Sequence, residues 1–487
     1  VTSPAAARVP RSSVGLRSER GPVLLSVMLS TGLVAIDATI LAAAVPAVVR
    51  DLGGLSQFPW LFSVYVLAQA VSIPVYGKLA DLVGRKPMLL VGIALFVLGS
   101  LLCGLAWSMG ALVAFRAVQG IGAGAIQPIG MTVIGDIYSV AERATVQGYV
   151  ASVWAMASLV GPTLGGVFSE YLSWRWIFFV NLPLGAVAAW MMWRRFAETP
   201  RTRAGRPRFD VVGTALLLLG TVALLVALLE GGVLWPWLSV PTAVLLAGAV
   251  VLLGAFVVVE RRAPEPVLPL WVFSQRAVSG AMAASLVVGV LLLGLTSYVP
   301  LYAQAVLGTG AVVAGFALAG MTVGWPIAAS TAGRLYLRIG FRRTMLLGSV
   351  VAVVGAAGLL LVDGDSSVLA LGVPCFVMGL GFGFVASPSV VAAQSSVPWN
   401  QRGVATSATI FGRSIGSAVG VAAFGAVANT VVANRLGGPP SDLESLPADV
   451  LGPALDTVWV AAAVVSLALV ATALVMPREV REVPLDH

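Results

Sequence analysis

Gly77-Lys78-Leu79-Ala80-Asp81-Leu82-Val83-Gly84-Arg85-Lys86-Pro87 separates two apolar runs, and a second stretch repeats its frame 256 residues later, Gly333-Arg334-Leu335-Tyr336-Leu337-Arg338-Ile339-Gly340-Phe341-Arg342. Three further pairs keep almost the same spacing. Gly120-x-Gly122-x-Gly124 returns as Gly379-x-Gly381-x-Gly383, Glu142-Arg143 as Gln401-Arg402, and Gly161 as Gly420, each 259 residues on. A near-constant offset across different residue types marks a duplicated chain.

The duplicated unit is a set of membrane helices. Hydrophobic residues form 59% of the 487-residue chain and charged residues 10%, against about 45–50% and about 25% in soluble domains. A hydrocarbon core of about 30 Å needs about 20 apolar residues in a helix. Runs of that size fall near 22–47, 58–80, 88–107, 110–135, 144–168, 176–195, 210–230, 239–259, 277–304, 312–336, 343–362, 367–393, 403–431 and 456–476. Lipid leaves unpaired backbone groups without partners, and no barrel-type alternation is present, so all fourteen are expected to be helices.

The expected fold is an all-α polytopic membrane protein: two six-helix halves plus two inserted helices. Its parts are an N-terminal tail (1–21), a first half (22–195), a linker (196–209), the inserted pair (210–259), a second linker (260–276), a second half (277–476) and a C-terminal tail (477–487). The polar N-terminal stretch has no small-residue cleavage site after a short apolar core, so no cleaved signal peptide is expected.

Charge sets the orientation. Of the Lys and Arg residues, only Arg50, Arg175 and Arg435 fall in one set of alternate connections; Arg116 and Arg413 lie within spans, and the rest share the other set with both tails. The positive-inside rule then makes both termini cytoplasmic. The net charge of +8 therefore reports topology, and no nucleic-acid partner is expected.

Enzyme chemistry is poorly provided for. Cys103 and Cys375 sit in apolar runs, and the single histidine, His487, is the last residue. No Ser/His/Asp set can form, no multi-ligand metal site is expected, and no phosphate-cradling GxxxxGK[ST] loop is present. Neither a cofactor nor a metal is implied.

Two six-span halves resemble the major facilitator transporters, whose substrate site lies near mid-membrane between the halves. Residues 77–87 resemble that family's loop signature. The resemblance makes Gly77, Asp81, Gly84, Arg85 and Lys86 a cytoplasmic gate, in which Asp81 pairs with Arg85 near a helix N-terminus of the other half. The second copy has Leu337 where the acid would fall, so only the first is expected to latch. Arg116-Ala117-Val118-Gln119-Gly120-Ile121-Gly122 resembles the fourth-span signature, whose embedded arginine faces a cavity or partner. Gly161-Pro162-Thr163-Leu164-Gly165-Gly166 resembles the exporter signature: proline frees a hinge while Gly161, Gly165 and Gly166 admit a neighbouring helix.

Ala35-Ile36-Asp37-Ala38-Thr39-Ile40, followed by Pro46, resembles the first span of the fourteen-span drug:proton antiporters (EmrB/QacA-type). Asp37 is the only acid well inside an expected helix, and the resemblance makes it the proton-coupling group. A fixed salt bridge to Arg116 or Arg413, or substrate contact alone, are the competing readings. Arg413, within Phe411-Gly412-Arg413-Ser414, also resembles a pattern of that group and either lines the cavity or anchors its span. Tyr65, Gln69, Trp154, Tyr298, Tyr302 and Gln304 are further cavity candidates, each also explicable as packing or interfacial.

The function implied is proton-driven export of drugs or other amphipathic small molecules by alternating access, from a monomer in a bacterial plasma membrane. The alternative is a dedicated exporter of an endogenous lipid or metabolite; a non-transport membrane protein is the remote one. No acid lies mid-helix in the late spans, which speaks against multivalent cationic substrates.

Overall fold

The computed structural model describes residues 14–53, 60–198, 210–231, 235–436 and 448–480, except for the side chains at 42, 43, 46, 159, 162, 311 and 312. Among the described residues, fourteen helices are long and apolar enough to cross a membrane. They run over α1 (Gly21–Leu52), α2 (Trp60–Val83), α3 (Arg85–Gly104), α4 (Met109–Ile137), α5 (Val140–Val167), α6 (Asn181–Arg195, in a span that begins at Trp176), α7 (Val211–Glu230) and α8 (Val240–Glu260). The series continues with α9 (Arg276–Ala305), α10 (Ala311–Ile339), α11 (Phe341–Leu359), α12 (Val368–Ser395), α13 (Arg402–Leu436) and α14 (Ala448–Val475). With an even number of spans, the start of α1 and the end of α14 lie at one end of the bundle, called here the arginine-rich end.

Local sequence sets several helix starts. Ser108 caps α4 by accepting from the Ala111 amide at 3.2 Å. Ser367 does the same for α12 from Ala370 at 3.3 Å. At α5 the cap is reciprocal, Ser139 accepting from Glu142 while the Glu142 carboxylate accepts from the Ser139 amide. Several boundaries differ from expectation, the largest at α14, which begins at Ala448 rather than near 456. Helix α1 runs on to Leu52, because nothing after residue 47 breaks it before Gly53 at φ +67°. A short turn, Trp176–Phe179, precedes α6 within the sixth span.

Packing repeats between the halves. In the first, α4 packs on α2 and α3, and α1 on α5 and α6; in the second, α12 packs on α10 and α11, and α9 on α13 and α14. Glycines make the matching contacts. Gly120 lies against the Tyr65 backbone and Gly379 against Met321; Gly122 lies on Phe96 and Gly381 on Ala352. These are the sequence-repeat partners. The halves meet along two seams, α2 with α13 and α5 with α10. The inserted α7 packs on α8 and over the first seam, where Leu225 joins Ala70 and Ala418 in a buried apolar cluster.

Candidate functional site

Two polar constellations stand out in this apolar bundle, one at the arginine-rich end and one inside the first half.

The first joins the halves. Asp81 pairs with Arg85 at 2.9 Å, and its carboxylate accepts from the Gly403 and Val404 amides at 3.0 and 2.9 Å. Those amides open α13, so Asp81 caps a helix of the other half, its carboxylate at the positive end of that helix's dipole. Arg85 also pairs with Asp136 at 3.0 Å, donates to the Trp399 carbonyl at 2.6 Å and lies over the Trp399 ring. Arg402 reaches back to Asp136 at 3.4 Å and to the Gly135 carbonyl at 3.1 Å. Arg143 bonds the carbonyls of Gly135 and Tyr138 in its own half, and across the seam meets the Ser395 hydroxyl at 3.5 Å. Gln394 donates to the Met131 carbonyl at 3.0 Å.

The loop around this cluster is held by its own geometry. Gly84, at φ +118°, turns the chain between α2 and α3, and Gly340 makes the matching turn at φ +86°. Glu198, just past α6, accepts from the Arg85 and Lys86 amides at 2.8 and 2.9 Å, capping α3. Gly77 packs on the Gly403 backbone and Ser407. Asp136, Trp399, Arg402 and Glu198 were not singled out as gate residues from sequence. The recurrence of Arg143 as Arg402 was the available signal.

The second constellation is sealed inside the first half. Asp37, 1% exposed, pairs with Arg116 at 2.6 Å and accepts from the Gln119 amide nitrogen at 2.8 Å. Arg116 also donates to the Gln119 carbonyl oxygen at 2.7 Å and the Leu61 carbonyl at 3.1 Å. Its guanidinium lies over the Tyr65 ring, 4.1 Å from the centroid. Gln119 donates onward to Ser100 at 2.8 Å, and Asn181 reaches the same hydroxyl at 3.3 Å. Both Asp37 oxygens thus accept from donors, the arrangement an ionised carboxylate requires. Gln119, Ser100 and Asn181 were missed from sequence; the i,i+3 spacing of Arg116 and Gln119 on one helix face was the legible hint.

Several expectations change. Arg116 and Tyr65 are enclosed within the first half and do not line a space between the halves. The Tyr65 hydroxyl is buried without a hydrogen-bond partner among the described residues. Tyr302 belongs to the second half's core, tilted on Trp459 and directed at the Val362 carbonyl. Tyr298 is buried in the same core, whereas Gln304 is exposed near the far end of α9. Bulk and aromatic shape drew these tyrosines into packing. Gln69 and Trp154 are half-buried on α2 and α5. Gly161 packs tightly on Thr39, whose hydroxyl donates to the Ala157 carbonyl at 3.0 Å. Gly165 is buried, but Gly166 has no atom within reach of an added Cβ, so no helix approaches there. The Pro162 side chain lies outside the described residues. The helix ends in a π turn at Phe168–Leu172.

Arg413, half-buried and about 16 Å along α13 from its start at Arg402, has neither a hydrogen bond nor an ion pair among the described residues. No group of three or more His, Cys, Asp or Glu side chains able to hold a metal is found among them either.

Two duplicated helical halves, locked to each other at one end and carrying a buried ion pair in one of them, define a membrane-embedded carrier rather than an enzyme. The chain belongs to the Major Facilitator Superfamily, whose family model matches residues 27–421. It is 34% identical over 425 residues to the multidrug transporter protein MdtP of Bacillus subtilis (strain 168), covering 87% of this chain and 78% of that one. Multidrug resistance protein 3 of the same organism is 34% identical over 414 residues, covering 85% and 80%. The efflux pump dotC of Dothistroma septosporum (strain NZE10 / CBS 128990) is 32% identical over 501 residues, covering 95% and 86%. Among solved structures, the human organic anion transporter MFSD10 (TETRAN) shares the fold at a TM-score of 0.65 and 16% identity, covering 93% of this chain and 99% of that one.

Proposed function

We propose that this protein is a proton-coupled exporter of amphipathic small molecules, an antiporter of the fourteen-span drug-export type working by alternating access as a monomer in a bacterial plasma membrane. The names of the relatives support drug efflux as its setting. The arginine-rich end is read as cytoplasmic, so the latch of Asp81, Arg85 and Arg402 closes that side and the cavity faces outward.

The observation that carries the proton step is the Asp37–Arg116 pair, buried at mid-span in the first half and without a counterpart among the described residues of the second. A proton added to Asp37 finds only donors around it: Arg116 and the Gln119 amide nitrogen already point at its two oxygens. Protonation therefore breaks the pair and forces the network to rearrange. In the cycle, a proton enters from the outward side, substrate leaves, the carrier rocks inward, and Asp37 loses the proton to the cytoplasm before substrate binds again. A membrane potential of about 100 mV supplies about 2.3 kcal/mol per charge, and each pH unit about 1.36 kcal/mol. One proton then sustains roughly a 500-fold gradient of a neutral solute without ATP.

Asp37→Asn tests this. In proteoliposomes it is expected to abolish efflux driven by a pH jump while the protein remains folded and monodisperse. Undiminished pH-driven efflux in the variant removes Asp37 from the coupling step and leaves the pair as a fixed structural bridge. The second reading, a dedicated lipid or metabolite exporter, draws on α7 lying over the α2–α13 seam, where it shapes lateral access from the bilayer. Accumulation of a single endogenous compound in a deletion strain, without a broad resistance profile on overexpression, favours it.

A further inference from the structure

We infer that the central cavity binds an organic anion, with Arg413 as its counter-charge. The geometry of α13 puts that guanidinium in the space between the halves. Gly412, Gly416 and Gly420 of α13 lie on the α9 backbone. Gly403 meets Gly77 and Asp81 of α2, and Ala418 packs with Ala70 of α2 and Leu225 of α7. Between these two faces, Thr406 meets Gln394 of α12 at 3.0 Å. Arg413 follows Thr406 by seven residues, two helical turns, and so shares its face toward the molecular axis. The residue is half-buried, and none of its nitrogens is among the fully buried polar atoms lacking partners, so the guanidinium keeps some exposure on that face.

An arginine about halfway through the bilayer costs about 2.5–3.5 kcal/mol on insertion scales unless something neutralises it. No group among the described residues does so. Asp37, the one described acid deep within a span, is committed to Arg116 and Gln119 inside the first half. Asp81 and Asp136 are committed to the latch. The first half's buried arginines each have carboxylate or carbonyl partners; Arg413, in the second half, has none among the described residues. A fixed cation facing a cavity, with no acid to share it, selects a carboxylate or sulfonate, which the planar guanidinium engages through paired hydrogen bonds.

The duplication supplies the apolar partner. Arg413 repeats Trp154 at the 259-residue offset, so a half-buried indole occupies the matching place on α5, on the opposite wall. A cation on one wall and an aromatic surface on the other suit an amphipathic anion with a ring system at the end away from its charge. Orientation in the cavity follows, with the anionic end on the second half.

This inference deepens the export reading by naming the substrate class of its cavity, and its test does not depend on proton coupling. Binding of 2-naphthoate, of its uncharged amide and of a naphthyl trimethylammonium ion is measured in phosphatidylcholine nanodiscs without a pH gradient. The wild-type protein is expected to bind the carboxylate about tenfold tighter than the amide, and the ammonium ion weakest. Arg413→Gln collapses the carboxylate-to-amide ratio toward one; Arg413→Lys retains part of it, which separates charge recognition from misfolding. Trp154→Ala weakens carboxylate and amide alike. Equal binding of carboxylate and amide by the wild type, or an unchanged ratio in Arg413→Gln, overturns the inference. Loss of pH-driven export with the ratio intact counts against the coupling reading alone.

Discussion

The two halves share one packing plan and spend polar residues in different ways. Around the Gly120 and Gly379 contacts, the first half holds Tyr65, Ser100, Cys103, Arg116 and Gln119, whereas the same repeat positions in the second half are Met321, Ala356, Leu359, Cys375 and Met378. Gly161 on Thr39 and Gly420 on Val290 set the remaining register, which places Val288, fully buried, opposite Asp37. The first half is therefore wired with an ion pair at its centre, and the second is apolar at the matching positions. Backbone packing tolerates both solutions, so the fold alone does not require the ion pair.

The sharpest way to break that comparison is to cut the wire. Arg116→Met strands the Asp37 carboxylate in an apolar interior, and losing one partner of a buried pair costs about 3–5 kcal/mol. Thermal unfolding in detergent is expected to show that loss, with the Asp37→Asn/Arg116→Met double variant recovering much of it. Cys375→Ala at the matching position is expected to cost on the order of 1 kcal/mol. Equal losses in the two halves would remove the functional asymmetry.

The same contrast appears at the latch. Helix α5 caps itself with Ser139 and Glu142. The matching residues before α13 are Pro398 and Gln401, and no side chain there caps the helix. Asp81 provides that cap from the other half, while its repeat partner, Leu337, has no carboxylate to lend and α5 caps itself. Across the seam, Arg402 meets Asp136 and Arg143 meets Ser395, which are again repeat partners, one arm ionic and one neutral. A cap lent across an interface holds the interface shut; a cap made locally does not. Asp81→Asn removes the charge at the α13 N-terminus and is expected to cost the closed state about 1–2 kcal/mol. Faster thiol labelling of a cysteine placed near Gly403 would report the opening. Adding Pro398→Ser and Gln401→Glu gives α13 its own cap and leaves the interface open, so labelling is expected to stay fast. Restored closure would mean that the cap's presence matters and its origin does not.

Much of this was legible in the chain. The offsets of 256 and 259 carry the two halves, and the charge distribution carries the alternation of connections. Asp37 stood out because an acid deep in an apolar helix has few harmless explanations. Its partners were harder to see: a glutamine or serine in an apolar run carries no period of its own, and Asn181 arrives from α6 only through packing. Tyr302 shows the opposite failure. Its phenol looks like a cavity group in sequence, yet tertiary packing consumes it against Trp459. Glu198 is legible in neither way, since its cap on α3 depends on where the chain after α6 passes.

The smallest effect concerns the end of the molecule away from the latch. There Arg175 donates to Asp51 at 2.6 Å and Trp174 to the same carboxylate at 3.0 Å, on a largely exposed surface. The Arg175 hydrogen bond, and then that of Trp174, hold the Asp51 carboxyl below its ordinary value of 3.8. A group lowered on folding contributes stability that is complete above its unfolded value and is lost only as pH falls through the folded one. Between pH 8 and pH 5 Asp51 is therefore ionised throughout, and its pair is unchanged. Asp51→Asn is expected to shift unfolding by less than about 1 kcal/mol and to leave the pH profile of transport over that window as it is in the wild type. A pH response between 5 and 8 that survives Asp51→Asn and disappears in Asp37→Asn belongs to the wired interior of the first half. One that disappears with Asp51 instead would move the proton's point of action out of the membrane and onto the exposed end of α1.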